Sequence, residues 1–195
     1  MKRFVKLFAI LMPLALAAAC SKAPAQAAVT AAEQAVEATR PVAEKLVPDQ
    51  MKALSDSLAG AKDKFGKGDY SGAMADAKDI PAKAGEVVAA AKAKKEELTK
   101  AWESLSKDVT SSVGAITARV GELTAMKKLP KGMDKAKLDG AKAALDGVGA
   151  AWTQATDAFK AGNWTEALQN GGELKARAQG IMSMLGMPAE PPPAK

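Results

Sequence analysis

The chain has 195 residues, a formal charge of +6, one cysteine and no histidine. A lone thiol without histidine excludes Ser–His and Cys–His nucleophiles, zinc clusters and CxxCH haem attachment. Aromatic residues make up only 4% of the chain and the charges read as interspersed. The basic stripe with stacking rings that marks a nucleic-acid binder is therefore absent, and neither nucleic acid nor a cofactor is expected.

Met1-Lys2-Arg3 lead into a mostly apolar run from Phe4 to Leu16, broken by Lys6 and Pro13 and followed by Ala17-Ala18-Ala19-Cys20. A charged start, a short apolar stretch and small residues at the end form an export signal. The run falls short of the roughly 20 apolar residues that span a bilayer. The segment Leu16-Ala17-Ala18-Ala19-Cys20 resembles the lipobox of bacterial lipoproteins, with Ala17 standing where that family prefers leucine. The resemblance implies a diacylglycerol-modified Cys20, cleavage between Ala19 and Cys20, and attachment to the membrane through the N-terminal lipid. Ser21 stands where an aspartate commonly retains such proteins at the inner membrane. In a Gram-negative source this implies the inner leaflet of the outer membrane, with the body facing the periplasm. Ordinary secretion is the alternative, because Ala17-x-Ala19 also fits an unlipidated signal. Removal of 1–19 leaves 176 residues and takes Lys2, Arg3 and Lys6 with it, which lowers the charge from +6 to +3.

Residues 20–28, rich in small and polar side chains, read as a flexible tether of roughly 30 Å when extended. The domain then runs over 29–187. Nearly a quarter of the chain is alanine, the best helix former, and alternating β-type patterns are nearly missing. A helix from about Val29 to Leu46 is disturbed at Pro41. Val47, Met51, Leu54, Leu58, Ala61 and Phe65 then recur at 4, 3, 4, 3, 4 behind Pro48 and Asp49, which suit a helix first turn.

From Pro81 to Lys128 no proline occurs, and one stripe runs through Leu98, Trp102, Leu105, Val109, Val113, Ile116, Val120 and Leu123. Pro81 should kink or begin this helix, and Thr110-Ser111-Ser112 beside Gly114 is where it is expected to bend. Leu138, Ala141, Leu145, Val148, Trp152, Ala155 and Phe159 form the next stripe, capped by Asp134. A last helix runs from about Trp164 to Leu185, and 188–195 is a Pro-rich tail. The seams predict an all-α antiparallel bundle, compact or elongated, with a long central helix and two αα-hairpins.

Two segments match at an offset of 94, within a repeat of about 47–98 and 132–186. Phe65-Gly66-Lys67-Gly68-Asp69-Tyr70-Ser71-Gly72-Ala73-Met74 pairs with Phe159-Lys160-Ala161-Gly162-Asn163-Trp164-Thr165-Glu166-Ala167-Leu168. Gly68 and Gly162 are predicted to end a helix in the left-handed conformation. Asp69 and Asn163 should cap the next, and Tyr70 and Trp164 should lock the corner. Asn163 with Glu166 is similar to a capping box. The motif resembles the inter-helix turn of tetratricopeptide hairpins, but the 34-residue period of that family is missing. The resemblance therefore implies a hairpin and not a peptide-binding superhelix.

Three sharper readings give way to plainer ones. Met182, Met184 and Met187 could offer Cu(I) thioethers, but residues two apart on a helix face different ways. Trp102, Trp152 and Trp164 could line a ligand cavity, but tryptophans at this spacing more often anchor a core. Lys195 is the final residue, as in one envelope lipoprotein joined to peptidoglycan; the likeness is one residue plus topology, and a frayed tail is the reading taken. No catalytic or metal-binding residue is assigned. The expectation is a non-enzymatic, lipid-anchored envelope scaffold or adaptor with a protein partner. The alternative is a carrier of a lipid or small hydrophobic ligand between helices.

Overall fold

The computed structural model describes the backbone of residues 5–188 and the side chains of 21–188. Five helices appear among the described residues, with no strand: α1 (Val5–Ala43), α2 (Pro48–Gly66), α3 (Tyr70–Ala125), α4 (Lys135–Lys160) and α5 (Trp164–Met184). The chain is an all-α helical bundle with a long central helix. It divides into two compact units, Met1–Lys95 and Glu96–Lys195. Residues 70–95 of α3 complete the first unit and 96–125 open the second, so each unit holds three helical segments.

The first unit is built on three seams, and those of α1 and α3 alternate spacings of four and three. In α1 the buried positions are Ala25, Val29, Ala32, Val36, Thr39 and Ala43, with Leu46 just beyond; in α2 they are Met51, Leu54 and Ala61; in α3 they are Ala73, Ala77, Ile80, Ala84, Val87 and Ala91. Alanine at so many seam positions lets the backbones approach closely, and the heptad-like spacing keeps each seam facing its neighbours. Thr39, a polar member of the α1 seam, donates its hydroxyl to the Ala35 carbonyl at 2.8 Å, which satisfies it locally.

Residues 20–28 are helical and do not form a flexible tether. Residues 21–28 lie inside α1, and Ala25 is wholly buried, the first position of the α1 seam. Pro24 is exposed, so its ring displaces no packed side chain. Pro41 likewise sits in the last turn of α1, which ends two residues later.

The long helix also starts earlier than its sequence pattern suggests. α3 begins at Tyr70 and continues past Pro81, which lies inside it. Asp69 supplies the start: its carboxylate accepts the Gly72 backbone N–H at 2.9 Å, the N-cap bond that satisfies an otherwise orphaned donor. Pro81 is exposed between the buried Ile80 and Ala84, so the seam passes it unbroken. No break follows at 110–114: the helix runs on to Ala125, and Ser112 is buried.

The second unit packs around one contiguous core that includes Trp102, Ile116 and Leu123 of α3, Leu138, Val148 and Ala155 of α4, and Leu174, Ala178 and Ile181 of α5. Asp134 caps α4 as its sequence position predicts, accepting the Lys137 N–H at 2.8 Å. Gly171 of α5 lets that helix close on α3, because a β-carbon there would lie 2.7 Å from Leu105 Cδ2 and 3.5 Å from Trp102 Cζ3. Lys175 and Asp108 join the same two helices by an ion pair of 2.6 Å.

Candidate functional site

Both predicted hairpin turns have the same hydrogen-bond pattern. At the first, Gly68 N–H donates to the Phe65 carbonyl and Asp69 N–H to the Lys64 carbonyl; at the second, Gly162 donates to Phe159 and Asn163 to Ala158, all at 2.9–3.1 Å. This pair of bonds is a Schellman ending, which requires a left-handed residue at its centre. Gly68 (φ +82°) and Gly162 (φ +79°) supply it. The two turns part at the cap. Asn163 makes no side-chain cap hydrogen bond to α5, so the capping box with Glu166 does not form, while Asp69 caps α3 fully. Tyr70 meets Phe65 edge-on, with ring centroids 5.2 Å apart, and Trp164 lies over Gly162. These residues build corners, and none of them borders either of the grooves described below.

The repeat extends well beyond the turn. Ala61 and Ala155, Ala73 and Ala167, Ile80 and Leu174, Ala84 and Ala178, Val87 and Ile181, and Ala91 and Leu185 are all buried and all 94 apart. Surface relief follows the same register. An open groove of ≈ 470 Å³ is lined by Gln50, Ala53, Leu54, Ser57, Lys83, Glu86 and Val87. A second, of ≈ 460 Å³, is lined by Ala144, Gly147, Val148, Arg177, Gly180, Ile181 and Met184. Six positions of the first recur in the second at the 94-residue offset. Each groove has a buried aliphatic floor, Leu54 with Val87 or Val148 with Ile181, and a cation at the same place, Lys83 or Arg177. The first keeps Gln50, Ser57 and Glu86 as polar neighbours. In the second, Ala144, Gly147 and Gly180 stand at the positions of Gln50, Ala53 and Glu86, and Met184, 49% exposed, extends its apolar wall.

Trp102 borders an open surface groove with Glu103, Ser106, Lys107, Thr110 and Ser111, while its ring packs within the core. Trp102 stacks on Trp152, with centroids 5.0 Å apart and planes 4° apart, and on Phe159 at 4.7 Å and 11°. Trp152 and Phe159 are two turns apart on α4, a rise of roughly 10 Å, so Trp102 fills the gap between them. The methionines do not converge either: Met182 is wholly buried while Met184 is exposed. Among the described residues no group of three or more His, Cys, Asp or Glu side chains could hold a metal ion. Lys52 and Lys64 are held above the ordinary lysine value, chiefly by hydrogen bonds to Asp56 and Asp76. An upward shift keeps an ammonium protonated, the opposite of what a lysine nucleophile needs.

The side chains of Ala19 and Cys20 lie outside the described residues, as do Lys195 and the tail from Ala189 onward. Ser21 is half-buried in α1. No helix among the described residues is long and apolar enough to cross a membrane.

No family model, curated protein or solved structure matches the chain.

One feature escapes a reading of the sequence alone, and a second, legible in the sequence, corrects it. The groove positions become visible only when the 94-residue register is laid over burial. The second is a departure from interspersed charge: Lys127, Lys128, Lys131, Lys135 and Lys137 fall within eleven residues, with Asp134 as the one acid among them. The near balance of charge along the whole body conceals that run.

Proposed function

We propose that this chain is a non-enzymatic, lipid-anchored protein of the bacterial cell envelope that serves as a scaffold or adaptor. The observation that carries the reading is the pair of repeat-equivalent grooves. Their volume is within the range of small-molecule sites, but each is open to solvent and would bury only one side of an occupant. That geometry suits a partner helix laid against an apolar floor, with Lys83 or Arg177 meeting an acidic group at its edge. The paired units would offer one partner two similar contacts.

Anchoring rests on the lipobox resemblance at Cys20. With helix from Ser21 onward and Ala25 already in the core, about one helical turn, roughly 7 Å, separates the acylated residue from the packed body. The body would sit close to the membrane surface. A lipid carrier is the alternative reading, favoured by the apolar lining of the groove between α4 and α5.

Photo-crosslinking in cells tests the adaptor. A crosslinkable residue at Ala53 or at Gly147 is expected to capture the same partner, and one at exposed Lys92 is not. Capture of nothing at the groove positions, or of the same proteins at all three, would contradict the proposal. A bound lipid crosslinked at Gly147 alone would favour the carrier.

A further inference from the structure

The 94-residue register relates α2 to α4 and residues 70–95 of α3 to α5, and basic charge collects at one end of the second unit, where that register has no counterpart. In the first unit, α1 and α2 are joined by four residues, 44–47; in the second, α3 and α4 are joined by nine, 126–134. In the 94-residue register α4 also begins seven residues before the counterpart of Pro48, an extension of roughly 10 Å. The added segment carries Lys127, Lys128, Lys131, Lys135 and Lys137. All five are exposed. No carboxylate among the described residues lies within ion-pair distance of Lys127, Lys128, Lys131 or Lys135. Lys137 donates to the Gly132 carbonyl at 2.8 Å, which leaves its charge uncompensated. Asp134, the one acid of the segment, is engaged in capping α4.

The connection is fixed rather than loose. Leu129 and Met133 pack against the core of the unit, Met133 N–H donates to the Pro130 carbonyl at 3.1 Å, and Gly132 turns the chain at φ +89°. Lysines therefore alternate with apolar anchors on a held platform. Met126, 44% exposed, stands beside them.

We propose that this end of the second unit docks on an anionic lipid bilayer. Clustered, uncompensated lysines match a surface of acidic headgroups, each contributing roughly fivefold to binding at moderate salt. An exposed methionine next to them suits the boundary between headgroups and acyl chains. Exposed charge dominates this end, with Met126 the one large exposed apolar side chain beside it, which favours headgroups over an apolar protein groove. The inference does not depend on the lipid at Cys20.

The test uses residues 20–195 carrying Cys20→Ser, which contains every described side chain and has no acylation site. Sedimentation with phosphatidylethanolamine vesicles containing about a third phosphatidylglycerol is expected to exceed sedimentation with phosphatidylcholine vesicles by at least about tenfold, falling as salt rises. The triple variant Lys127→Glu/Lys128→Glu/Lys131→Glu should lose that preference with unchanged helicity, and Lys92→Glu should change binding less than about twofold. Met126→Ser should weaken binding in a way that salt does not alter. Equal binding to both vesicle types, or a triple variant that binds as the parent does, would overturn the proposal. Tighter retention by inorganic polyphosphate or an oligonucleotide than by acidic vesicles would also overturn it, because the platform would then serve a soluble polyanion.

Discussion

Trp102 of α3 lies almost flat against Phe159 of α4, with centroids 4.7 Å apart and ring planes inclined by 11°. With Trp152 on its other side, it joins the two helices through the largest apolar side chains of the second unit. Trp102→Ala is expected to cost about 3–5 kcal/mol, as large aromatic deletions do in packed cores. Urea denaturation followed by circular dichroism checks this; a loss below about 1 kcal/mol would mean that the stack adds little to the core.

Glycines in this fold fall into two classes that substitution should separate. Gly171→Val places branched carbon against Leu105 and Trp102 and should destabilise by about 1–3 kcal/mol. Gly114 and Gly121 have open space where a β-carbon would go, so alanine at either should stabilise by up to about 1 kcal/mol. Thermal melts of the three variants provide the comparison.

The corners make a paired prediction. Alanine at Gly68 or Gly162 must adopt a positive φ, at a cost of about 1–2 kcal/mol each, and the two costs should be similar because the turns share their bonds. Asp69→Ala should cost about 1 kcal/mol through the lost cap on α3. Unequal glycine costs would show that the corners are not equivalent.

Residues 21–32 should exchange their amide hydrogens as slowly as the rest of the first unit, since Ala25, Val29 and Ala32 are buried in one seam. Exchange at the rate of an unfolded peptide over 21–28 would restore the tether.

The helices α2, α4 and α5 are readable from the chain because aliphatic residues recur at three and four, with Pro48 opening α2 and Asp134 capping α4. The start of α3 was hidden by Pro81, whose known cost inside helices outweighs a single aspartate cap on paper. In the fold the ring is exposed and the cap prevails. Residues 20–28 look like a linker in sequence because alanine and serine suit both linkers and helices. Only the burial of Ala25, set by contacts distant in sequence, decides between the two. The turns were legible through glycine, whose left-handed conformation few other residues adopt. The grooves were not, because their floors consist of ordinary seam residues such as Leu54 and Val148.

The claim on which compartment and orientation depend is acylation at Cys20. Mass spectrometry of the protein extracted from membranes tests it most directly. The account predicts a mature chain of 176 residues beginning at Cys20 and carrying a diacylglycerol-modified thiol. A chain that retains residues 1–19, or one that begins at Cys20 with a free thiol, would contradict it.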